Sequence, residues 1–141
     1  MVHLRVEHNN MNTKQVIIIR KDLKMRRGKE ISQCSHASMA FLTRNVEYSG
    51  RLGHIDINLQ DHAAEVTHWL ENSFRKIVCV VNSEEELREL HQKALEAGLL
   101  SHLITDNGAT EFNNIQTMTS LAIGPSWDHM FDGITDHLTL Y

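Results

Sequence analysis

Runs of apolar residues alternate with helical patterns and polar turns along the whole chain. Gln15-Val16-Ile17-Ile18-Ile19-Arg20 is a continuous β-branched run, the pattern of a strand buried on both faces. A polar, basic connection from Asp22 to Gly28 leads into a predicted helix from about Gly28 to Arg44. Its small residues Cys34, Ser35, Ala37, Ser38 and Ala40 permit close packing on a sheet. Residues 45 to 59 hold Gly50 and Gly53 without clear periodicity and read as a loop or insertion. Gln60 to Asn72 reads as a second helix, with Ala63, Ala64, Val66, Thr67 and Leu70 as its apolar face. Lys76-Ile77-Val78-Cys79-Val80-Val81 is a second buried strand. Ser83-Glu84-Glu85-Glu86 reads as a capping box in which Ser83 and Glu86 satisfy each other's free amides. The helix it opens carries Leu87, Leu90, Ala94 and Leu95 and stops at Gly98. Leu99 to Ile104 reads as a third strand, Asp106-Asn107-Gly108 as a turn and Thr119 to Gly124 as a fourth strand. Pro125-Ser126 opens a short predicted helix through about Phe131, and His137 to Tyr141 is a last extended piece.

The element order β-α-α-β-α-β-β-α predicts a three-layer α/β/α sandwich on a small mixed sheet of about four strands. The link between the third and fourth strands is too short for a helical crossover, so that pair is expected to be antiparallel. A length of 141 residues suits one domain. Residues 1–13 read as a polar N-terminal extension and 14–141 as the domain itself. An apolar content of 41% excludes a disordered chain. No apolar run approaches a membrane span, and the first residues lack the apolar stretch of a signal peptide, so a cytoplasmic location is expected. Cys34 and Cys79 form no C-x-x-C pair and read as reduced, buried thiols.

Charge adds an asymmetry. The net charge is −4, yet residues 14–29 hold seven of the fourteen Lys and Arg residues against the single acid Asp22. Such a basic block on an acidic protein suits a polyanion docked at one edge, or else a solvated surface loop. Ten histidines are scattered without an H-E-x-x-H motif or zinc spacing, and no phosphate-binding glycine pattern appears. Neither a metal nor a nucleotide cofactor is expected.

Arg20-Lys21-Asp22-Leu23-Lys24-Met25, followed by Gly28-Lys29, Gln33 and His36-Ala37, resembles the first signature of the type 2 peptidyl-tRNA hydrolases, the archaeal and eukaryotic kind. Asp106-Asn107-Gly108-Ala109-Thr110 is similar to the second signature. Ile123-Gly124-Pro125, then Asp132, Thr135 and Leu138/Leu140, match a third stretch in order and spacing. The resemblance covers about residues 14–141. It departs where the family's Pro-Gly-Thr turn is replaced by Asn113-Asn114-Ile115-Gln116-Thr117, and in a longer stretch around Glu47 to Asp61.

The resemblance implies hydrolysis of the ester that joins a peptide to tRNA, which recycles tRNA from stalled translation. That chemistry needs an activated water or hydroxyl, a stabiliser for the oxyanion and a grip on RNA. In a helix starting near Gly28, Lys29, Gln33 and His36 share one face. Lys29 is the candidate for holding a phosphate or the developing oxyanion, and Asp106 for orienting or deprotonating a water. Thr110 is a nucleophile or a water-positioning hydroxyl. Gln33 hydrogen-bonds substrate or Asp106, and His36 is either a packed helix residue or a participant. Lys21, Lys24, Arg26 and Arg27 would meet tRNA phosphates. Gly108, Thr117 and Thr119 would line the substrate site. Peptidyl-tRNA is thus the implied partner, with no membrane and with a homodimer as a family-level expectation. The competing functions are a non-catalytic RNA-binding module and a protein-interaction protein on the same fold.

Overall fold

The computed structural model describes residues 11–141. Most of the expected N-terminal extension, residues 1–10, lies outside the described residues. Strand β1 (Thr13–Arg20) begins two residues before Gln15 and is followed by helix α1 (Arg27–Thr43). Residues 45–59 are not irregular throughout, because β2 (Val46–Glu47) and β3 (Asp56–Ile57) form a small antiparallel hairpin. A 3₁₀ turn at Gln60–His62 opens α2 (Ala63–Glu71), and then come β4 (Lys76–Val81), α3 (Glu84–Glu96) and β5 (Ser101–Asp106). Strand β6 (Thr117–Trp127), a 3₁₀ turn at Asp128–Phe131 and β7 (Thr139–Leu140) complete the chain.

The main sheet runs β5-β6-β1-β4-β7. β1 and β4 are parallel, while β6 is antiparallel to both β1 and β5, so β1, β4 and β5 end at the same edge. The sheet has five strands rather than four. The C-terminal extended piece pairs with β4, Cys79 opposite Leu140 and Val80 opposite Thr139. Burial on both faces explains the unbroken apolar pattern of β1. Val16 and Ile18 enter the core under α3 with Leu87, Leu90, Leu121 and Phe131, and Ile17 packs under α1 with Ala37, Ala40 and Ala122. One polar residue interrupts the α1 side. Buried Gln15 donates to the Ser38 carbonyl at 2.8 Å and accepts from the Ser38 hydroxyl at 2.6 Å, which pins α1 to the central strand.

Three sequence expectations are corrected. Helix α2 buries Val66 and Trp69, whereas Ala63, Ala64, Thr67 and Leu70 are exposed. The largest side chain sets the face: the Trp69 ring lies 5.8 Å from that of Phe41 and 4.7 Å from that of Phe74, and its N–H donates to the Arg75 carbonyl. No helix opens at Pro125, since β6 continues through it. Thr13 and Lys14 of β1 pair with Trp127 and Ser126, and Pro125 falls in the irregular step between the Lys14 and Val16 pairings, where a missing N–H costs no ladder bond. The capping box is also not reciprocal. Ser83 Oγ accepts from the Glu86 amide at 3.1 Å, but the Glu86 carboxylate accepts from Asn82 N–H at 2.5 Å. The other end of α3 follows the sequence reading. Gly98 takes a φ of +79°, its N–H bonds the Leu95 carbonyl and Leu99 N–H bonds that of Ala94.

Both cysteines are free. Cys79 is buried and Cys34 half-buried, and burial, followed by the nearby Glu30 charge, pushes the Cys34 thiol up to about 11. No helix among the described residues is long and apolar enough to cross a membrane.

Candidate active site

The shared edge where β1, β4 and β5 end is also where α1 begins, so strand carboxyl ends and a helix N-terminus face the same crevice. α1 brings Lys29 in its first turn and Gln33 one turn later. β5 brings its last residue, Asp106, and the 107–116 loop brings Gly108 and Thr110. The Lys29 ammonium donates to Asp106 Oδ1 and to Thr110 Oγ, each at 2.9 Å. Gln33 Nε2 donates to the same Asp106 Oδ1 at 3.2 Å, and the Gly108 amide donates to Oδ2 at 2.9 Å. The i, i+4 spacing read from the sequence therefore places Lys29 and Gln33 on one carboxylate oxygen. The Lys29 and Asp106 side chains are 14% and 13% exposed, accessible to a substrate yet shielded from bulk solvent.

Burial by itself would raise the Asp106 pKa. The Lys29 and Gly108 hydrogen bonds, the Lys29 charge and the Gln33 amide outweigh it and hold the carboxyl below its usual range. Asp106 is therefore ionised at neutral pH. Three donors occupy three of the roughly four acceptor positions of a carboxylate, and the one left is on Oδ2, toward the Gly108 side.

The loop is shaped by its backbone. Gly108 has a φ of +83°, and a Cβ there would run into the Ile115 backbone. Its carbonyl accepts from Asn114 N–H at 2.9 Å, closing the loop on itself. Asn113 and Asn114, which replace the Pro-Gly-Thr turn, take φ values of +52° and +64°, a region that asparagine tolerates better than most residues.

A sequence model of the family described as "Peptidyl-tRNA hydrolase PTH2" matches residues 13–141. The chain belongs to the peptidyl-tRNA hydrolase PTH2 family. A Methanopyrus kandleri protein named "Peptidyl-tRNA hydrolase" is 37% identical over 127 residues, covering 90% of this chain and 97% of that protein. The protein of that name from Methanocaldococcus jannaschii is 37% identical over 90% of this chain and 98% of its own length. "Probable peptidyl-tRNA hydrolase 2" of Dictyostelium discoideum is 38% identical over 91% of this chain, which spans 54% of that longer protein.

The family residues named from the sequence divide into four groups. Lys29, Gln33, Asp106, Gly108 and Thr110 converge in the hydrogen-bonded cluster. Lys21, Lys24, Arg26 and Arg27 are exposed on and beside the loop that enters α1. His36 is exposed on α1, so it is no packed core group. Thr117 is the cross-strand neighbour of Asp106 and its Oγ donates to the Ile115 carbonyl, while Thr119 is fully buried beneath the cluster, its hydroxyl donating to Gln33 Oε1 at 2.6 Å. Sequence reading missed Glu111, whose carboxylate accepts from the Arg26 amide at 3.3 Å and ties the basic loop to the 107–116 loop. It also missed Phe112, whose ring centre lies 5.9 Å from the Lys29 ammonium. An acid and an aromatic directly after Thr110 were the available signals. Among the described residues, no group of three or more His, Cys, Asp or Glu is placed to hold a metal ion.

Proposed function

We propose that the chain, as a PTH2 family member, hydrolyses the ester between peptide and tRNA in peptidyl-tRNA, in the cytosol, with residues 14–141 as its catalytic domain. The observation that carries the reading is the Lys29 ammonium held 2.9 Å from both Asp106 and Thr110 at the mouth of α1. A cation fixed before substrate arrives stabilises the oxyanion of the tetrahedral intermediate without reorganising solvent. The remaining acceptor position on Asp106 Oδ2 takes a proton from the attacking water. Thr110, whose oxygen already accepts from an ammonium, has its own proton free to orient that water. Electron withdrawal by the ammonium makes the hydroxyl a weaker nucleophile, which favours direct water attack over a covalent route. Gln33 holds Asp106 in place, and His36, exposed on α1, is open to contact with bound substrate. Lys21, Lys24, Arg26 and Arg27 engage tRNA phosphates next to the α1 N-terminus, where free amides add to the attraction.

Pairing of two copies is part of the same proposal. A cleft of about 870 Å³ on the other flank of α1, with Ile31, Met39, Val78 and Tyr141 in its lining, offers an apolar surface for it. Sedimentation of the purified chain at micromolar concentration tests that part.

The decisive experiment is release of an N-acetylated aminoacyl group from tRNA by the wild type and by Lys29→Ala. Release by the wild type and its loss in the variant are expected. Tight tRNA binding by the wild type with no release would instead identify an RNA-binding module.

A further inference from the structure

Thr119 and Ser120 are consecutive residues of β6, and in a regular strand they would point to opposite faces of the sheet. Here both reach the same residue of α1. Thr119 Oγ donates to Gln33 Oε1 at 2.6 Å, and Ser120 Oγ donates to the Gln33 main-chain carbonyl at 3.1 Å. The pairing register explains how. On β5, Ile104 faces Ser120 and the next residue, Thr105, faces Met118, so Thr119 is the extra residue of a β-bulge. Bulges re-aim a side chain by twisting one strand locally.

We propose that the bulge at Thr119 is a positioning device: the hydroxyl it turns under α1 anchors the Oε1 end of the Gln33 carboxamide and so holds its NH2 on Asp106. The proposal rests on the site described under the proposed function and adds a residue that touches no substrate. Thr119 is 0% exposed and Gln33 1% exposed, so neither finds water to replace a missing partner. An ionised carboxylate only accepts hydrogen bonds, and Asp106 therefore demands the NH2 end of Gln33. That choice turns Oε1 toward β6, where the Thr119 hydroxyl supplies its donor. A flipped amide would set its oxygen against the carboxylate. Without the hydroxyl, Oε1 becomes a buried acceptor with no donor and the amide keeps only its bond to Asp106.

The test compares Thr119→Val, which keeps the β-branched shape, with Thr119→Ala and with Thr119→Ser, which keeps the hydroxyl. Each is assayed for release of N-acetylated aminoacyl-tRNA, with far-UV circular dichroism as a control on folding. Thr119→Val and Thr119→Ala are expected to lose roughly tenfold in kcat with KM unchanged, about the effect of one misaligned hydrogen bond in a reacting cluster. Thr119→Ser is expected to stay within about threefold of the wild type. In a Gln33→Met background, Thr119→Ala should cost nothing further, because the group it positions is gone. Wild-type kcat in Thr119→Ala overturns the inference. So does a Thr119→Ser as impaired as Thr119→Ala, or an undiminished loss in the Gln33→Met background. If Gln33→Met and Lys29→Ala both keep full activity, it is the site itself that fails.

Discussion

Replacing Lys29 by methionine keeps most of the side chain's length and removes its charge, so two consequences can be worked out from the geometry. The first is kinetic. On the proposed mechanism the variant loses the donor that meets the oxyanion, an interaction worth about 10²–10³ in kcat in other acyl-transfer sites. The second concerns stability. Exposed ion pairs contribute about 0–1 kcal/mol, and breaking a fully buried one costs about 3–5 kcal/mol. With side chains 14% and 13% exposed, Lys29 and Asp106 fall between these limits. Asp106 also retains the Gly108 amide and the Gln33 carboxamide, which places the loss at about 1–3 kcal/mol. In a chain of this size that corresponds to a fall in Tm of about 3–10 °C. The pH dependence has a definite sign. A carboxyl whose folded pKa is depressed contributes stability above its unfolded pKa and loses it as pH falls through the folded value. Without the ammonium, the burial that opposes ionisation gains ground and the Asp106 pKa rises. The Tm gap between wild type and Lys29→Met should therefore be widest near neutral pH and narrow in acid. Initial rates of release at saturating N-acetylated aminoacyl-tRNA, together with thermal melts across the pH range, measure both effects. A kcat within about threefold of the wild type would refute the assignment of Lys29. A Tm gap that grows as pH falls would refute the electrostatic account of its bond with Asp106.

Three further outcomes are expected. Lys24→Ala and Arg27→Ala should raise KM for peptidyl-tRNA and leave kcat unchanged, and each should make log KM less steep in log salt by about one unit for each phosphate no longer neutralised, read from a salt titration. Gly108→Ala should destroy activity with only a modest change in Tm, because strain at a φ of +83° and collision with the Ile115 backbone are confined to the loop; release assays and calorimetry separate the two effects. Trp69→Ala should cost about 3–5 kcal/mol in urea unfolding, as expected for emptying an aromatic core between α1 and α2, and should leave the bonds around Asp106 intact.

The sequence made most of this architecture legible because the information is local. Gln15 to Arg20 and Lys76 to Val81 are buried on both faces, so their patterns are continuous and short enough to be read as strands. The four-residue spacing of Lys29 and Gln33 states their common face directly. Gly98 marks the end of α3 because only its φ suits the position. The misread features depend on distant neighbours. The buried face of α2 is decided by where Phe41 and Phe74 stand, and periodicity over nine residues does not record that. The passage of β6 through Pro125 depends on its pairing with Thr13 and Lys14, far earlier in the chain. The convergence of Lys29 with Asp106 spans 77 positions and was approached through the family motifs, since spacing alone does not show it. The bulge at Thr119 is a property of register between two strands, and no single segment encodes it.

The 107–116 loop keeps its path through main-chain bonds and left-handed residues while Ala109, Asn113, Asn114, Ile115 and Gln116 remain exposed. These side chains thus point away from the carboxylate at the loop's root, while its main chain closes on Gly108, whose amide grips that carboxylate opposite α1. Drift in composition on that rim changes what the enzyme presents to its surroundings and spares the chemistry beneath wherever positions 113 and 114 still accept left-handed backbone. A stretch that looks eroded when letters are compared is in physical terms a facing whose frame is its backbone path.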